Sequence, residues 1–175
     1  FPTRRSSDLP EAEGYRYGDD VDMKALIERL KRDGLTIGSC ESLTAGLFAS
    51  TIAEVSGASA VLKGGIITYW TECKVNVVHV SEEVVRQYGV VSAQCAREMA
   101  EKARVLLDVD VCVSFTGNAG PDTMEGKPAG LVYCAIADHT HTKVYEFQLA
   151  QKRNALRKEL VEEMGRQVIR FLDDA

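Results

Sequence analysis

The sequence has no hydrophobic stretch that approaches the roughly 18 to 20 residues needed to span a membrane. It shows no charged-then-apolar leader of the kind that directs secretion. It also lacks an excess of basic residues, because its 175 residues carry a formal net charge of −5. General nucleic-acid binders present a basic face. These absences predict a single-domain cytoplasmic protein that binds neither membranes nor nucleic acid.

Cysteine is present, but not in a pattern typical of a disulfide framework or a zinc site. The five cysteines are odd in number and widely spaced, and no Cys-x-x-Cys pair occurs. Most lie in apolar segments, which favours reduced thiols in the core of an intracellular protein. The carboxylates show no ligand spacing either, so we expect no metal and no cofactor.

The first 20 residues differ in character from the remainder. Residues 1–9 have no hydrophobic periodicity and resemble one translated frame of a sequencing adapter, so we interpret them as non-native. Residues 10–18 are polar and read as a loose arm, and a genuine disordered tail is the alternative for the whole segment. We therefore expect one domain over residues 21–175.

Alternating patterns predict the elements of that domain. Helices are expected at about 20–33, 43–55, 71–79, 82–88, 92–107 and 152–172, and strands at 35–39, 64–70, 111–115, 130–137 and 142–149. The run Val111–Phe115 is almost entirely apolar, which is typical of a strand buried on both faces. Strands that alternate with helices before a terminal hairpin predict a three-layer α/β/α sandwich with a mixed sheet.

The most informative stretch is Leu35–Gly46, where a β-prone run gives way at once to a helical pattern. Glu41, Ser42 and Thr44 lie at this junction. Backbone N–H groups at a helix start lack partners within the helix and carry partial positive charge, so they suit an oxyanion or a phosphate. Ser42 is therefore a candidate nucleophile. The alternative is that Ser42 or Thr44 only caps the helix.

Three polar segments follow apolar strands, at 38–46, 68–74 and 116–121, and the first and the last of them contain glycine. Ligand sites of open α/β sheets lie beyond the carboxyl ends of the strands. Each segment alone is typical of an ordinary loop, but three in one small domain favour a shared pocket.

Four motifs, in order and spacing, resemble the CinA C-terminal domain family over about residues 22–172. They are Glu41–Gly46, Gly64-Gly65 with Tyr69 and Lys74, Thr116–Pro121, and Lys127–Gly130. The family includes stand-alone nicotinamide-nucleotide amidohydrolases, also called nicotinamide mononucleotide deamidases. The resemblance implies hydrolysis of nicotinamide mononucleotide to nicotinate mononucleotide and ammonia in pyridine-nucleotide salvage. It also implies a homo-oligomer, a dimer or higher.

The resemblance implies a Ser-Lys dyad of Ser42 and Lys74, with Tyr69 orienting it or relaying a proton. The backbone of residues 42–46 would hold the oxyanion. The substrate-binding residues expected from the motifs are Glu41, Thr44, Ala45, Gly46, Gly65, Thr116, Gly117 and Gly120. No histidine lies at the motifs, so lysine is the remaining candidate base, and burial or a neighbouring cation must then lower its pKa. The alternatives are that Lys74 is an ordinary surface lysine and that Tyr69 is only a half-buried aromatic residue of the strand.

Arg153 and Arg157 lie four residues apart at the start of the last helix, so both can face one point. Guanidinium groups suit the 5′-phosphate of the substrate. The family often has Gly-Asp-Arg before this helix, whereas this chain has Gln151-Lys152-Arg153. Two other functions remain open: a non-catalytic nucleotide-binding or regulatory module, and an amidase that acts on a different small amide.

Overall fold

The computed structural model describes residues 19–175. The interpretation of the N-terminal segment thus lies outside the described residues, except that residues 19 and 20 begin the first helix. The helices are α1 Asp19–Asp33, α2 Leu47–Ala53, α3 Thr71–Asn76, α4 Glu82–Tyr88, α5 Ala93–Leu107 and α6 Arg153–Asp173. The strands are β1 Ile37–Glu41, β2 Leu62–Ile67, β3 Val111–Gly117, β4 Leu131–Ala137 and β5 Thr142–Gln148, and a short 3-10 turn covers Ala58–Ala60.

The strands form one mixed sheet in the order β2-β1-β3-β4-β5. β1 pairs in parallel with β2 and with β3, whereas β4 runs antiparallel to β3 and to β5. The carboxyl ends of β1, β2 and β3 therefore meet at one edge of the sheet. The prediction of an α/β fold with a mixed sheet is confirmed.

Helices cover both faces of this sheet because its central strands are apolar on both sides. Along β3, Val113 and Phe115 belong to the core beneath α1, α2 and α6, whereas Cys112 belongs to the core beneath α5. This alternation follows from the two-residue period of a strand. The result is the predicted three-layer sandwich. No helix within residues 19–175 combines the length and apolar character that a membrane crossing requires.

Two predicted boundaries near the site are wrong. The helix expected from residue 43 begins at Leu47, because residues 42–46 form a turn in which Ala45 (φ 47°) and Gly46 (φ 93°) are left-handed. The strand expected to reach residue 70 ends at Ile67. Beyond it, the Thr68 and Tyr69 carbonyl groups accept hydrogen bonds from a lysine side chain instead of from a neighbouring strand.

Candidate active site

Ser42 follows the last residue of β1 at the carboxyl edge of the sheet. Its N–H donates to the Phe115 carbonyl of β3 at 2.9 Å, and its own carbonyl accepts from the Ala45 N–H at 2.9 Å. The left-handed Ala45 and Gly46 then redirect the chain into α2. A non-glycine residue in this conformation is strained by roughly 1 kcal/mol. The turn thus fixes the Ser42 backbone from both sides.

The carboxylate of Glu41 caps α2 from within the protein. Glu41 is only 1% exposed. Its oxygens accept from the Phe48 N–H at 2.8 Å, the Ala49 N–H at 3.2 Å and the Ser39 hydroxyl at 2.8 Å. An acid at this end of a helix is favoured by the helix dipole. The expectation that Glu41 binds substrate is therefore replaced by a structural role, and the expectation that Ser42 or Thr44 caps α2 is wrong.

This cap narrows the set of amides that can hold an oxyanion. The N–H groups of Phe48 and Ala49 are engaged by Glu41, and those of Ser42 and Ala45 are engaged in the turn. Among the described residues, the N–H groups of Leu43, Thr44 and Gly46 have no hydrogen-bond acceptor. Thr44 is 0% exposed, so of the five amides expected at 42–46 only those of Leu43 and Gly46 combine a free N–H with some exposed surface.

Lys74 lies on the short helix α3 and yet is buried, with only 1% of its surface exposed. Its Nζ lies 3.1 Å from Ser42 Oγ, 2.7 Å from the Thr68 carbonyl oxygen and 3.4 Å from the Tyr69 carbonyl oxygen. The alternative of an ordinary surface lysine is excluded. The structure thus brings together the two side chains that the motifs connect.

Burial lowers the pKa of Lys74, because the ammonium form loses hydration inside the protein. The same burial raises the pKa of the neighbouring Cys40 and Cys95 thiols to about 12, so both are neutral near pH 7. Four of the five cysteines are buried, as the sequence predicted.

Tyr69 takes part through its backbone rather than its ring. Its carbonyl accepts from Lys74 Nζ and lies 3.5 Å from Ser42 Oγ. Its side chain is half exposed, and the phenol accepts from Arg153 Nη2 at 2.8 Å. The Tyr69 carbonyl thus contacts both Ser42 and Lys74, while its hydroxyl contacts Arg153 and not Lys74.

A cavity of about 80 Å³ opens at Ser42, and we call it the dyad cavity. It is lined by Ser42, Leu43, Tyr69, Gly117, Asn118, Ala119, Asp122, Met124 and Arg153. A second cavity of about 560 Å³, the outer cavity, shares Ala119 and Arg153 with it and also includes Gly120, Gly130 and Lys152. The sequence did not single out Asp122 or Met124, because a polar loop gives no signal of which residues turn inward.

The two arginines of α6 differ from the expectation in what they contact. Arg157 donates from Nε to the Leu43 carbonyl at 2.8 Å and from Nη2 to the Thr44 carbonyl at 3.0 Å, so it fastens the 42–46 turn. Arg153 donates from Nη1 to the Gly120 carbonyl at 2.9 Å and remains exposed between the two cavities. Of the two, only Arg153 lies at the cavities.

Three of the other expected binding residues, Gly65, Thr116 and Thr44, line neither cavity. Gly65 lies within β2, where a Cβ would come within 2.7 Å of Ser39 Oγ. The Thr116 hydroxyl donates to the Val90 carbonyl at 2.7 Å. Thr44 Oγ1 is buried and has no hydrogen-bond partner in the described part of the chain. Gly117 lines the dyad cavity, and a Cβ there would lie 2.6 Å from the Leu131 carbonyl oxygen of β4.

The histidines of the β4–β5 turn lie at the opposite edge of the sheet. His139 contacts Asp110, which precedes β3, at 3.3 Å. His141 stacks on Phe171, with ring centroids 4.4 Å apart. The expectation that neither residue reaches the nucleophile is confirmed.

Comparison with known proteins places the whole described sandwich in one family. The family model of the CinA C-terminal domain matches residues 20–172. A protein of Listeria monocytogenes serovar 1/2a, named competence-damage inducible protein, is 40% identical over 160 residues, which are 91% of this chain and 39% of that protein. A protein of the same name from Geobacillus sp. strain WCH70 is 42% identical over 144 residues, 82% of this chain and 35% of that protein. The chain spans about two fifths of the length of these curated relatives.

Solved structures have the same fold. Competence/damage inducible protein CihA from Agrobacterium tumefaciens superposes with a TM-score of 0.84 at 28% identity, covering 90% of this chain and 98% of that one. A CinA-superfamily protein from Escherichia coli superposes with a TM-score of 0.85 at 26% identity, covering 93% and 94%.

Proposed function

This chain belongs to the CinA C-terminal domain family, and we propose that it hydrolyses the carboxamide of nicotinamide mononucleotide to give nicotinate mononucleotide and ammonia. The observation that carries the proposal is the buried contact of Lys74 Nζ with Ser42 Oγ at 3.1 Å. Burying a lysine costs stability unless its charge is paired or removed. A lysine with lowered pKa beside a serine hydroxyl is suited to general-base activation of that serine.

The three partners of Lys74 Nζ accommodate the ammonium, which donates to all three, and also the neutral amine, which is the reactive form of the proposal. A neutral lysine has two N–H donors and one lone pair. The Thr68 and Tyr69 carbonyls can accept both donors. The lone pair is then left to face Ser42 Oγ, the third partner of Nζ. In this form Ser42 donates its hydroxyl proton toward Lys74, which is the geometry that proton removal requires.

The proposed reaction begins with attack of Ser42 Oγ on the carboxamide carbon as its proton moves to Lys74 Nζ. The negative charge that develops on the carboxamide oxygen is stabilised by the N–H groups of Leu43 and Gly46, which have no other acceptor among the described residues. Lys74 then gives its proton to the amide nitrogen, the C–N bond breaks, and ammonia leaves an ester on Ser42. Water attacks the ester carbon as its proton moves to Lys74 Nζ, and Lys74 returns that proton to Ser42 Oγ as the ester C–O bond breaks, which releases the acid product as its carboxylate and restores the Ser42 hydroxyl.

The two cavities suit a substrate that extends beyond its amide group. The dyad cavity, at about 80 Å³, holds little more than the reacting end. The outer cavity begins at Arg153 and includes Lys152, and two cations there would attract a phosphate. We therefore place the carboxamide at Ser42 and the 5′-phosphate toward Arg153.

We further propose that the protein works in the cytoplasm as a homo-oligomer. Its five free thiols suit a reducing compartment. Ile67 at the end of the edge strand β2, together with Tyr69 and Trp70, exposes apolar surface of the kind that pairs between subunits. Light scattering on the 175-residue chain would measure its mass in solution, and a monomer would contradict this part of the proposal.

The test of the substrate is a panel of amides offered to the full chain, with ammonia and carboxylate products quantified together. We expect kcat/KM to be highest for nicotinamide mononucleotide, to fall for nicotinamide riboside, which lacks the phosphate, and to fall again for nicotinamide. Higher kcat/KM for another amide such as glutamine would indicate a different amidase. Saturable nucleotide binding without any turnover would indicate a non-catalytic binding module.

A further inference from the structure

The loop of residues 118–127 forms one wall of the dyad cavity through Asn118, Asp122 and Met124. It has a hydrogen-bonded interior of its own. The Asn118 side chain donates to the Met124 carbonyl at 3.2 Å and to the Lys127 carbonyl at 3.1 Å, and it accepts from the Met124 N–H at 3.2 Å. Asn118 is 3% exposed, so these bonds lie within the protein. The loop is therefore held together by its own hydrogen bonds, and its position depends on its contacts with the rest of the domain.

Glu125 makes that attachment. Its two carboxylate oxygens accept from the Val90 N–H at 3.0 and 3.1 Å, and Oε1 also accepts from the Val91 N–H at 2.8 Å. The Glu125 side chain is 24% exposed, so most of the carboxylate is shielded from water. Hydrogen bonds from amides to a carboxylate are stronger than those to a neutral acceptor.

The segment of residues 88–91 leaves space for the Glu125 carboxylate. At Gly89, which has φ 78°, a Cβ would lie 1.6 Å from Glu125 Oε2. Lys127, from the same loop, donates to the Tyr88 carbonyl at 2.9 Å and to the Val91 carbonyl at 2.5 Å. The loop thus contacts residues 88–91 through two charged side chains. The Glu125 carboxylate accepts from backbone N–H groups, and the Lys127 ammonium donates to backbone carbonyl groups.

We propose that Glu125 is a positioning residue of the active site, whose carboxylate holds the 118–127 wall against residues 88–91 and so keeps the dyad cavity formed before substrate arrives. Only the expected effects on KM, kcat and the pH profile rest on the proposed function. The anchor itself is a property of the free protein.

Glu125 also acts on Lys74 through space. Its negative charge favours the Lys74 ammonium and so opposes, in part, the lowering of the Lys74 pKa by burial. The other titratable groups that face Lys74 are the thiols of Cys40 on β1, Cys95 on α5 and Cys73 on α3. Replacing Glu125 by a neutral residue should therefore lower the Lys74 pKa further. A change confined to the packing of the loop would not have this effect.

The test compares Glu125→Gln with the parent and with Glu83→Gln, an exposed charge removal on α4. Gln retains the shape but loses the charge and one acceptor oxygen. We expect KM for nicotinamide mononucleotide to rise roughly tenfold in Glu125→Gln, with kcat at high pH changed less than about twofold. The acid limb of kcat/KM should move to lower pH, because the base is more easily deprotonated. Glu83→Gln should match the parent in each respect.

A second readout does not depend on turnover. Hydrogen exchange of the Val90 and Val91 amides should accelerate at least several-fold in Glu125→Gln, while exchange within β3 stays unchanged. Unchanged exchange together with unchanged KM and pH profile would overturn the proposal. If the parent releases no ammonia, the proposed function fails, and the anchor is then judged by exchange and by nucleotide binding measured from the fluorescence of Trp70, the single tryptophan.

Discussion

At the scale of single residues, Lys74 is the side chain whose environment departs most from the ordinary. It is 1% exposed, it lies among thiols whose burial keeps them neutral, and its hydrogen-bond partners are two carbonyls and a hydroxyl. No carboxylate forms an ion pair with it among the described residues. The Lys74 amine therefore lies where its charged form is disfavoured. This arrangement suits a general base, but it lowers the stability of the fold.

The first prediction is that the stability of Lys74→Met relative to the parent depends on pH, and favours the variant most at neutral pH. Since burial lowers the folded-state pKa of Lys74 below its usual 10.5, the unfolded chain binds more protons between those two pKa values. Parental stability thus rises with pH across that window, and the Met variant lacks this rise. We expect the free energy of unfolding of the Met variant, relative to that of the parent, to fall between pH 7 and pH 10, as measured by urea unfolding.

Lys24→Met, a change at an exposed position of α1, is the matched control and should show no such pH-dependent difference. If the difference between Lys74→Met and the parent stayed constant with pH, the pKa of Lys74 would not be lowered in the folded protein.

The second prediction concerns Glu41. Its replacement by alanine leaves two α2 amides and the Ser39 hydroxyl without an acceptor in a buried site. Unsatisfied buried donors cost about 1 to 3 kcal/mol each, partly relieved by water, so we expect a loss of about 3 kcal/mol in the free energy of unfolding. Glu54→Ala, at the exposed end of α2, should cost less than about 0.5 kcal/mol. Equal losses in the two variants would contradict the capping role of Glu41.

At the scale of elements, the site is built where three parallel strands end and is held together by α6. Through Arg157 that helix reaches the carbonyls of Leu43 and Thr44, and through Arg153 it reaches Tyr69 and Gly120. Helix α6 thereby holds the 42–46 turn in place. Of the two arginines, Arg157 supports the 42–46 turn from outside both cavities, whereas Arg153 lines them.

The third prediction is that Arg157→Lys lowers kcat/KM roughly tenfold while the protein remains folded. Lysine cannot donate to two carbonyls in the planar geometry of a guanidinium, so the 43–44 backbone and its free N–H groups lose their alignment. Steady-state kinetics and thermal unfolding measure the two effects separately. Arg86→Lys, on the exposed face of α4, is the control. Full activity in Arg157→Lys would show that the turn needs no support from α6.

The same elements show what could be inferred from the sequence alone. The order of strands and helices followed from hydrophobic periodicity, and the pairing of Ser42 with Lys74 followed from the resemblance to the family. The roles of Glu41 and Arg157 could not be inferred, since each depends on contacts that only the fold creates. The start of α2 was misplaced because Leu43 fits a helical period, whereas the left-handed Ala45 and Gly46 exclude a helix there. The inward side of the 118–127 loop carries no periodic signal at all.

At the scale of the whole molecule, the candidate active site and both cavities lie at one edge of the sheet. Ser42, Lys74 and the two cavities lie at the carboxyl ends of β1, β2 and β3, while His139 and His141 lie at the opposite edge with Asp110 and Asp138. This separation follows from the parallel pairing of the first three strands. It also leaves a lysine, rather than a histidine, as the group beside the nucleophile.

The measurement that tests the account most directly is ammonia release from nicotinamide mononucleotide by the full chain, by Ser42→Ala and by Lys74→Met. Ser50→Ala and Lys24→Met, both exposed, serve as matched controls. The account predicts that each dyad variant loses at least about a thousandfold in kcat while its circular dichroism stays native, and that both controls retain parental activity. Turnover that survives in Ser42→Ala would contradict it, because the attacking group would then be water and not serine.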